Sequence, residues 1–180
     1  MDKNLQIREL IVRLARLDMA QAWHGDLNPT QSAVLDYLAR ANRFSRSPSH
    51  VSQYLGSTRG TVSQSLKSLG QKGYVTERKS QSDKRTISFD LTAKGHDAAQ
   101  MPDIMTDHLT KMDRGARDRL LETLRALLIP LLADNDGKPF GVCKTCRHFA
   151  PRDTGGYCGL LSADLSHEDT SHICHEQVSA

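Results

Sequence analysis

Hydrophobic residues follow a helical period over most of the first 133 residues of this chain. In the stretch 57–69, Val62, Leu66 and Leu69 stand at i, i+4 and i+7, the spacing of one buried helix face. The opposite face carries short hydroxyls, amides and a cation, from Gly60, Gln64, Lys67, Ser68 and Gln71. The pattern predicts an amphipathic helix with a polar outer face that lacks acids, and Ser57 is its expected N-cap.

A helical element precedes this helix and an alternating pattern follows it. Ser47-Pro48 opens a short helix with Ser47 as N-cap, and His50 is expected on its outer side, facing solvent or a phosphate. After the C-capping Gly73, residues 74–79 and 86–91 predict two strands joined by a polar turn. A short helix, a turn, a polar helix and a hairpin predict a winged helix-turn-helix.

Longer apolar stripes flank this unit on both sides. Residues 3–23 predict an amphipathic helix, and 92–111 predict another with a bend at Met101-Pro102. Asp113 begins a last helix with a broad seam of leucines at positions 120, 121, 124, 127, 128, 131 and 132. The stripe of the first helix must be buried against another surface, and packing on its own domain is the simplest expectation.

The charge distribution indicates a nucleic-acid partner. The net charge is only +3, but residues 40–95 hold eleven Lys or Arg against three acids. A basic, acid-poor block rich in Ser, Thr and Gln is typical of a phosphate-binding surface. The predicted double-stranded-DNA contacts on the helix are Thr58, Arg59, Thr61, Ser63, Gln64 and Lys67, and those on the wing are Arg78, Lys79, Asp83, Lys84 and Arg85.

Several ordered motifs resemble the multiple-antibiotic-resistance regulator (MarR) family. They are Leu27-Asn-Pro-Thr-Gln31, Leu69-Gly-Gln-Lys-Gly-Tyr-Val75, Asp83-Lys-Arg85 and Leu91-Thr-Ala-Lys-Gly95, and the likeness covers about residues 3–133. The resemblance implies a homodimer built by the terminal helices on a pseudo-palindromic operator. It also implies that Asp83 orients Arg85, and that a small organic effector can bind between the dimer helices and the winged domain.

All four cysteines lie in the last 38 residues, with the spacing C-x2-C-x11-C-x15-C. This segment has too few large apolar residues for a core of its own, so a metal bound by Cys143, Cys146, Cys158 and Cys174 would supply folding energy. A disulfide conflicts with the expected cytoplasmic location. Zinc usually takes two CxxC pairs, and only one is present.

The phrase from Cys143 to Cys174 also resembles the cluster-binding segment of high-potential iron proteins. That likeness implies a [4Fe-4S] cluster, with zinc as the close alternative. Four of the eight histidines (His148, His167, His172 and His175) lie in the tail, where one could replace a cysteine as ligand or all could surround the site without ligating.

The sequence therefore predicts a mainly α (α+β winged helix) fold with a helical dimerisation region and a small irregular metal-binding tail. The expected domains are 1–133, with a DNA-binding core at about 28–95, then a linker at 134–140 and the cysteine-rich tail at 141–180. No apolar leader or long apolar span is found, which favours a cytoplasmic protein without a membrane partner.

These features favour a dimeric DNA-binding transcriptional regulator, most simply a repressor, tuned by the metal or cluster of its tail. One alternative is a regulator that senses a small organic ligand and carries a purely structural zinc tail. Another is an iron–sulfur electron-transfer protein, which the basic block disfavours. No paired carboxylates, Ser/His/Asp set or phosphate loop stand out, so no enzyme is expected.

Overall fold

The computed structural model describes residues 2–23, 25–79, 87–100 and 104–179. Within them the chain is mostly helical with small antiparallel sheets, one of which is the hairpin of the wing, and this confirms the predicted fold class. The helices before the cysteine tail are α1 (Lys3–Gln21), α2 (Pro29–Arg40), α3 (Pro48–Tyr54), α4 (Arg59–Gln71), α5 (Ala93–Ala99), α6 (Ile104–Lys111) and α7 (Arg114–Asp134). The hairpin consists of β1 (Val75–Lys79) and β2 (Ile87–Leu91), paired antiparallel with Val75 opposite Leu91.

The winged helix has one compact core. Asn28 caps α2 through a capping box with Gln31, and Ser47 caps α3 as predicted. The inner face of α4 contributes Val62, Leu66 and Leu69, each at most 1% exposed. They pack with side chains of α2, α3 and the hairpin, namely Val34, Leu35, Tyr37, Leu38, Val51, Val75 and Phe89.

Both ends of α4 are closed by local chemistry. Its N-cap is Thr58, whose side chain accepts from the N–H of Thr61, so the expectation of Ser57 was wrong by one residue. At the other end the N–H of Gly73 donates to Gly70 and that of Tyr74 donates to Leu69, at 3.1 and 2.9 Å. This pair of bonds needs a left-handed residue, and Gly73 has φ 76°.

The predicted helix over 92–111 is two helices. Thr92 caps α5, which ends at Ala99, and α6 begins at Ile104. Met101-Pro102, where the bend was expected, lies outside the described residues. In α7 the helix continues through Pro130 to Asp134. None of the helices among the described residues has the length and apolar character needed to cross a membrane.

The apolar stripes of α1 and α7 stay uncovered in the single chain. Every residue of α1 is exposed, with Leu10 at 61%, so packing of this stripe on its own domain is not found. The leucine seam of α7 is exposed as well, including Leu124 at 44% and Leu128 at 52%. Two long helices that leave this much apolar surface in water require another partner surface.

The tail is a small β-rich unit with one short helix. Its strands are β3 (Gly141–Val142), β4 (Phe149–Arg152), β5 (Gly155–Cys158), β6 (Ala163–Leu165) and β7 (Ile173–Cys174), with α8 at His167–Ser171. Strands β4, β5 and β6 form one antiparallel sheet, and β3 pairs with β7. A side chain at Gly156 would collide with the Phe149 ring at 2.2 Å, so glycine lets this ring cross the sheet.

The tail folds back onto the winged helix, a contact that the sequence did not predict. Ala41, just after α2, forms a parallel bridge with Ile173. Phe140 packs edge-on against Tyr37 and Tyr54, with ring centroids 6.3 and 5.3 Å away. Phe140 adopts φ 44°, which costs about 1–3 kcal/mol for a bulky residue and is offset by this aromatic packing.

Candidate nucleic-acid interface and cysteine pocket

The outer face of α4 is open to solvent. Arg59, Thr61, Ser63, Gln64 and Lys67 are exposed directly above the buried Val62, Leu66 and Leu69. Thr58 is also exposed, but its hydroxyl is bonded to the Thr61 backbone and lies 2.8 Å from the Thr61 hydroxyl. The face thus offers a guanidinium, an amide and an ammonium group on a helix held rigidly from below.

Ser68 does not belong to this face, contrary to expectation. It is half-buried, and the Gln31 amide donates to its hydroxyl at 3.0 Å. The Gln31 carbonyl oxygen in turn accepts from Lys72 at 3.0 Å. Gln31 therefore ties α2 to the end of α4, and both Ser68 and Lys72 serve the fold.

Only part of the predicted wing is described. Arg78 and Lys79 are exposed at the outer end of β1, and Arg78 forms an ion pair with Asp90 of β2. Arg46 reaches the same carboxylate at 2.8 Å. Asp83, Lys84 and Arg85, including the pair expected to orient each other, lie outside the described residues, and their DNA contacts stay predictions.

The four cysteines line one pocket between the tail sheets. The β3–β7 pairing sets Gly141 opposite Cys174, and the Cys143 thiol forms a hydrogen bond with Cys174. In the neighbouring sheet Cys158 lies opposite Phe149. A single helical turn separates Cys143 from Cys146. Phe149, Leu160, Leu161 and Leu165 close the pocket, so its surroundings are apolar.

The sulfur atoms receive hydrogen bonds that suit metal-bound thiolates. The Asn42 amide donates to Cys143 Sγ at 3.2 Å, and the Val178 N–H donates to Cys146 Sγ at 3.5 Å. Donation by the Cys143 thiol and by the Glu176 backbone lowers the pKa of Cys174, whereas the same contact and burial raise the pKa of Cys143. Soft thiolates in an apolar pocket are the ligand type that zinc and iron–sulfur clusters take.

The side chains do not converge on one point. Among the described residues, no three His, Cys, Asp or Glu side chains stand close enough to share a metal ion. All four cysteines are free thiols. Of the tail histidines only His148 lines the pocket, so His148 is the one histidine placed to join the cysteines.

His50 is not where the sequence placed it. Its ring stacks on His175 of the tail, with centroids 3.5 Å apart, and its Nδ1 is buried without a hydrogen-bond partner. His175 Nδ1 lies 3.1 Å from the Ser45 hydroxyl. The outer side of α3 is therefore covered by the tail at this position.

Sequence reasoning missed Asn42 and Ser45, two polar residues with no exposed surface. Asn42 Oδ1 accepts from the Phe44 N–H at 3.1 Å and from the Ser45 hydroxyl at 2.7 Å. An Asn followed three residues later by Ser, just after a helix, is a local turn signal. That signal predicts the turn, but it does not predict the contact between Asn42 and Cys143.

Comparison with protein families places the central segment. Residues 25–86, about a third of the chain, match the family model described as MarR family. This segment is therefore similar to the MarR family. No curated protein matches the chain, and the family match does not include the cysteine tail.

Solved structures share the MarR-like fold over most of the chain. MepR of S. aureus, in a DNA complex, is 17% identical with a TM-score of 0.57, over 73% of this chain and 99% of that one. FabT of Streptococcus pneumoniae, in complex with DNA, is 22% identical with a TM-score of 0.57, over 73% and 95%. A MarR transcriptional regulator from Methanosarcina mazei Go1 is 22% identical with a TM-score of 0.59, over 71% and 97%.

Proposed function

We propose that this protein is a cytoplasmic, dimeric, sequence-specific DNA-binding transcriptional regulator that acts as a repressor. The observation that carries the proposal is the outer face of α4, where Arg59, Gln64 and Lys67 are exposed over a buried apolar face. Arginine and glutamine side chains read base edges in the major groove, and lysine pairs with phosphates. The match of residues 25–86 to the MarR family supports this role, as do similar folds solved with DNA, and the match supports the expectation that the chain is not an enzyme.

Dimerisation follows from the exposed stripes of α1 and α7. A two-fold axis through these helices would bury their leucines and present two copies of α4 to one duplex. Two such helices about one DNA turn apart match a pseudo-palindromic operator. The dimer therefore accounts for surface that a monomer would leave in water.

The four cysteines would hold a metal centre that tunes DNA binding. Cys143, Cys146, Cys158 and Cys174 line one apolar pocket, and two of their sulfurs accept N–H donors. A [4Fe-4S] cluster or a zinc ion would supply the tail with the folding energy that its few apolar side chains lack. Four thiolate ligands would suit structural or regulatory use, because they would leave no open coordination position for catalysis.

A binding experiment separates these functions. Duplexes selected from a random pool by the purified protein should show half-site symmetry, and affinity should fall linearly with salt on logarithmic axes. The same duplex is then titrated with metal-loaded protein, metal-free protein and Cys143→Ser. Unequal affinities support metal-linked control, whereas equal affinities in all three contradict it. Failure to select any duplex would contradict the proposed role as a DNA-binding regulator.

Metal content and the ultraviolet–visible spectrum of anaerobically purified protein decide between cluster and zinc. A broad visible absorption that bleaches on metal removal identifies the cluster. Stoichiometric zinc without colour identifies the alternative, a tail whose role is structural.

A further inference from the structure

The turn between α2 and α3, residues 41–46, touches three parts of the protein at once. The Asn42 N–H donates to Ile173 of the tail, and Phe89 of β2 donates to the Arg46 carbonyl, at 2.9 and 3.0 Å. The next residue, Ser47, is the N-cap of α3. The turn thus joins the tail to the first helix of the helix-turn-helix and to the wing.

Asn42 occupies the centre of this junction. Its Oδ1 must be the atom that faces Phe44, because a backbone N–H can only donate. The amide nitrogen therefore faces Cys143 Sγ at 3.2 Å, and the orientation of the side chain follows from its partners. One fully buried amide is shared between a cysteine of the pocket and the turn.

Ser45 extends the connection to the other side of the pocket. Its hydroxyl donates to Asn42 Oδ1 at 2.7 Å, so its oxygen can only accept from His175. It accepts from the His175 N–H at 3.0 Å, and His175 directly follows Cys174. The Tyr37 hydroxyl donates to the Ser45 carbonyl at 2.7 Å, which anchors the same turn in the core.

We propose that Asn42 and Ser45 are positioning residues that transmit the state of the cysteine pocket to the DNA-binding elements of the same subunit. This inference rests on the proposed function. When Cys143 is a metal-bound thiolate, the N–H···S bond from Asn42 is charge-assisted and holds the turn. When metal is lost and the tail loosens, Asn42 loses its acceptor, and a buried polar group without a partner favours rearrangement of the turn.

The route is distinct from control through the dimer helix. The covalent link from the pocket runs through residues 135–140 to α7, which would alter the spacing of the two subunits. The hydrogen-bonded route instead reaches α3 and β2 directly, within one subunit. A turn contacted from both the cysteine pocket and the DNA-binding elements is the kind of element through which allosteric coupling can pass.

The deciding variant is Asn42→Asp. Aspartate keeps the oxygen that accepts from Phe44 and Ser45, but it turns a carboxylate oxygen instead of N–H toward the Cys143 sulfur. Release of metal to a chelator, followed by absorbance or by a chelator dye, should accelerate about 10- to 100-fold. The ratio of operator affinities between metal-loaded and metal-free protein should fall to within about twofold of unity, from the about 5- to 150-fold typical of allosteric coupling.

Ser45→Ala separates transmission from ligand orientation. It leaves the Asn42 amide on Cys143 and the Phe44 N–H on Asn42 Oδ1, and it removes the Ser45 hydroxyl from Asn42 and from the His175 N–H. Metal release should stay within about threefold of the wild type, while the affinity ratio still falls. Thr145→Ala is the matched control, because Thr145 belongs to the CxxC turn but bonds only within the tail, to Val142 and Gln177.

The outcomes distinguish this inference from the proposed function. If wild-type protein binds its selected duplex equally with and without metal, metal-linked control fails, and the inference fails with it. If the wild type responds to metal but Asn42→Asp and Ser45→Ala keep its full affinity ratio, only the route through the turn is overturned. Thermal unfolding checks that each variant folds. If Asn42→Asp does not fold, Ser45→Ala alone decides whether the route through the turn exists.

Discussion

The imidazole rings of His50 and His175 stack 3.5 Å apart, with their planes 22° from parallel. One ring belongs to the first helix of the helix-turn-helix and the other to the cysteine tail. Burial, with His175 and Lys138 nearby and only Glu176 opposing them, lowers the pKa of His50 to about 4. Protonation of this ring therefore opposes the contact between the two units.

We expect this stack to make stability depend on pH. Unfolded His50 takes up a proton near pH 6.5, whereas the folded protein resists it until about pH 4. The contribution of the neutral ring is present above pH 6.5 and is lost as the pH falls toward 4. Urea unfolding from pH 4 to 8 should show a smaller loss for His50→Phe, which keeps a flat ring without a titrating group.

His96→Phe is the control for this experiment, because His96 is exposed on α5. Its unfolding free energy should follow the wild-type pH profile. If His50→Phe also follows the wild-type pH profile, protonation of His50 does not contribute to the pH dependence of stability.

Lys67→Ala should weaken DNA binding without altering the fold. The side chain is exposed, so the free energy of unfolding should change by no more than about 0.5 kcal/mol. If each Lys67 pairs with one phosphate, the slope of log affinity against log salt should decrease by about 1 per lysine, or about 2 per dimer. Lys111 is an exposed cation on α6, so Lys111→Ala should leave the slope unchanged. An unchanged slope in Lys67→Ala would contradict the proposed contact between Lys67 and a phosphate.

Leu124→Glu should produce a folded monomer. Leu124 is 44% exposed in the single chain, so a carboxylate there does not enter a core, but it would be buried in the predicted dimer. Analytical ultracentrifugation should show half the wild-type mass with unchanged helical circular dichroism. Arg125→Ala, one residue along the same helix, should remain dimeric, and a dimeric Leu124→Glu would contradict the assignment of the α7 seam.

Phe140→Ala should loosen the tail from the winged helix. The ring contacts Tyr37 and Tyr54 and is half-buried, so we expect a loss of about 2–3 kcal/mol of unfolding free energy, below that of a fully buried phenylalanine. Hydrogen exchange should rise in residues 41–46, where the tail is docked. Leu160→Ala, at an exposed position of the pocket rim, should leave exchange in that turn unchanged.

Local patterns predicted the winged helix well. Val62, Leu66 and Leu69 are all buried, and Gly73 closes α4 in the left-handed conformation that was expected. These features depend on helical period and on the conformational freedom of glycine, both of which act over a few residues. The predicted N-cap, Ser57, was wrong by one residue. Ser68 was wrongly assigned to the outer face of α4, because Gln31, 37 residues away, forms a hydrogen bond with it.

Long-range contacts explain what the pattern could not predict. His50 lies on the outer side of α3 by period alone, and only the returning tail covers it. Asn42 and Cys143 are 101 residues apart, and nothing in the sequence near either one indicates the other.

The sequence by itself determined the helices and strands of the winged helix, the polar face of α4, the basic block around it and the clustering of four cysteines near one end. The tertiary structure alone decided that those cysteines line one pocket and that this pocket contacts the turn before α3 through the hydrogen bond from Asn42 to Cys143. The physical reason is range: helix period, caps and charge are set by neighbours in the chain, whereas docking depends on surfaces that only the folded chain creates.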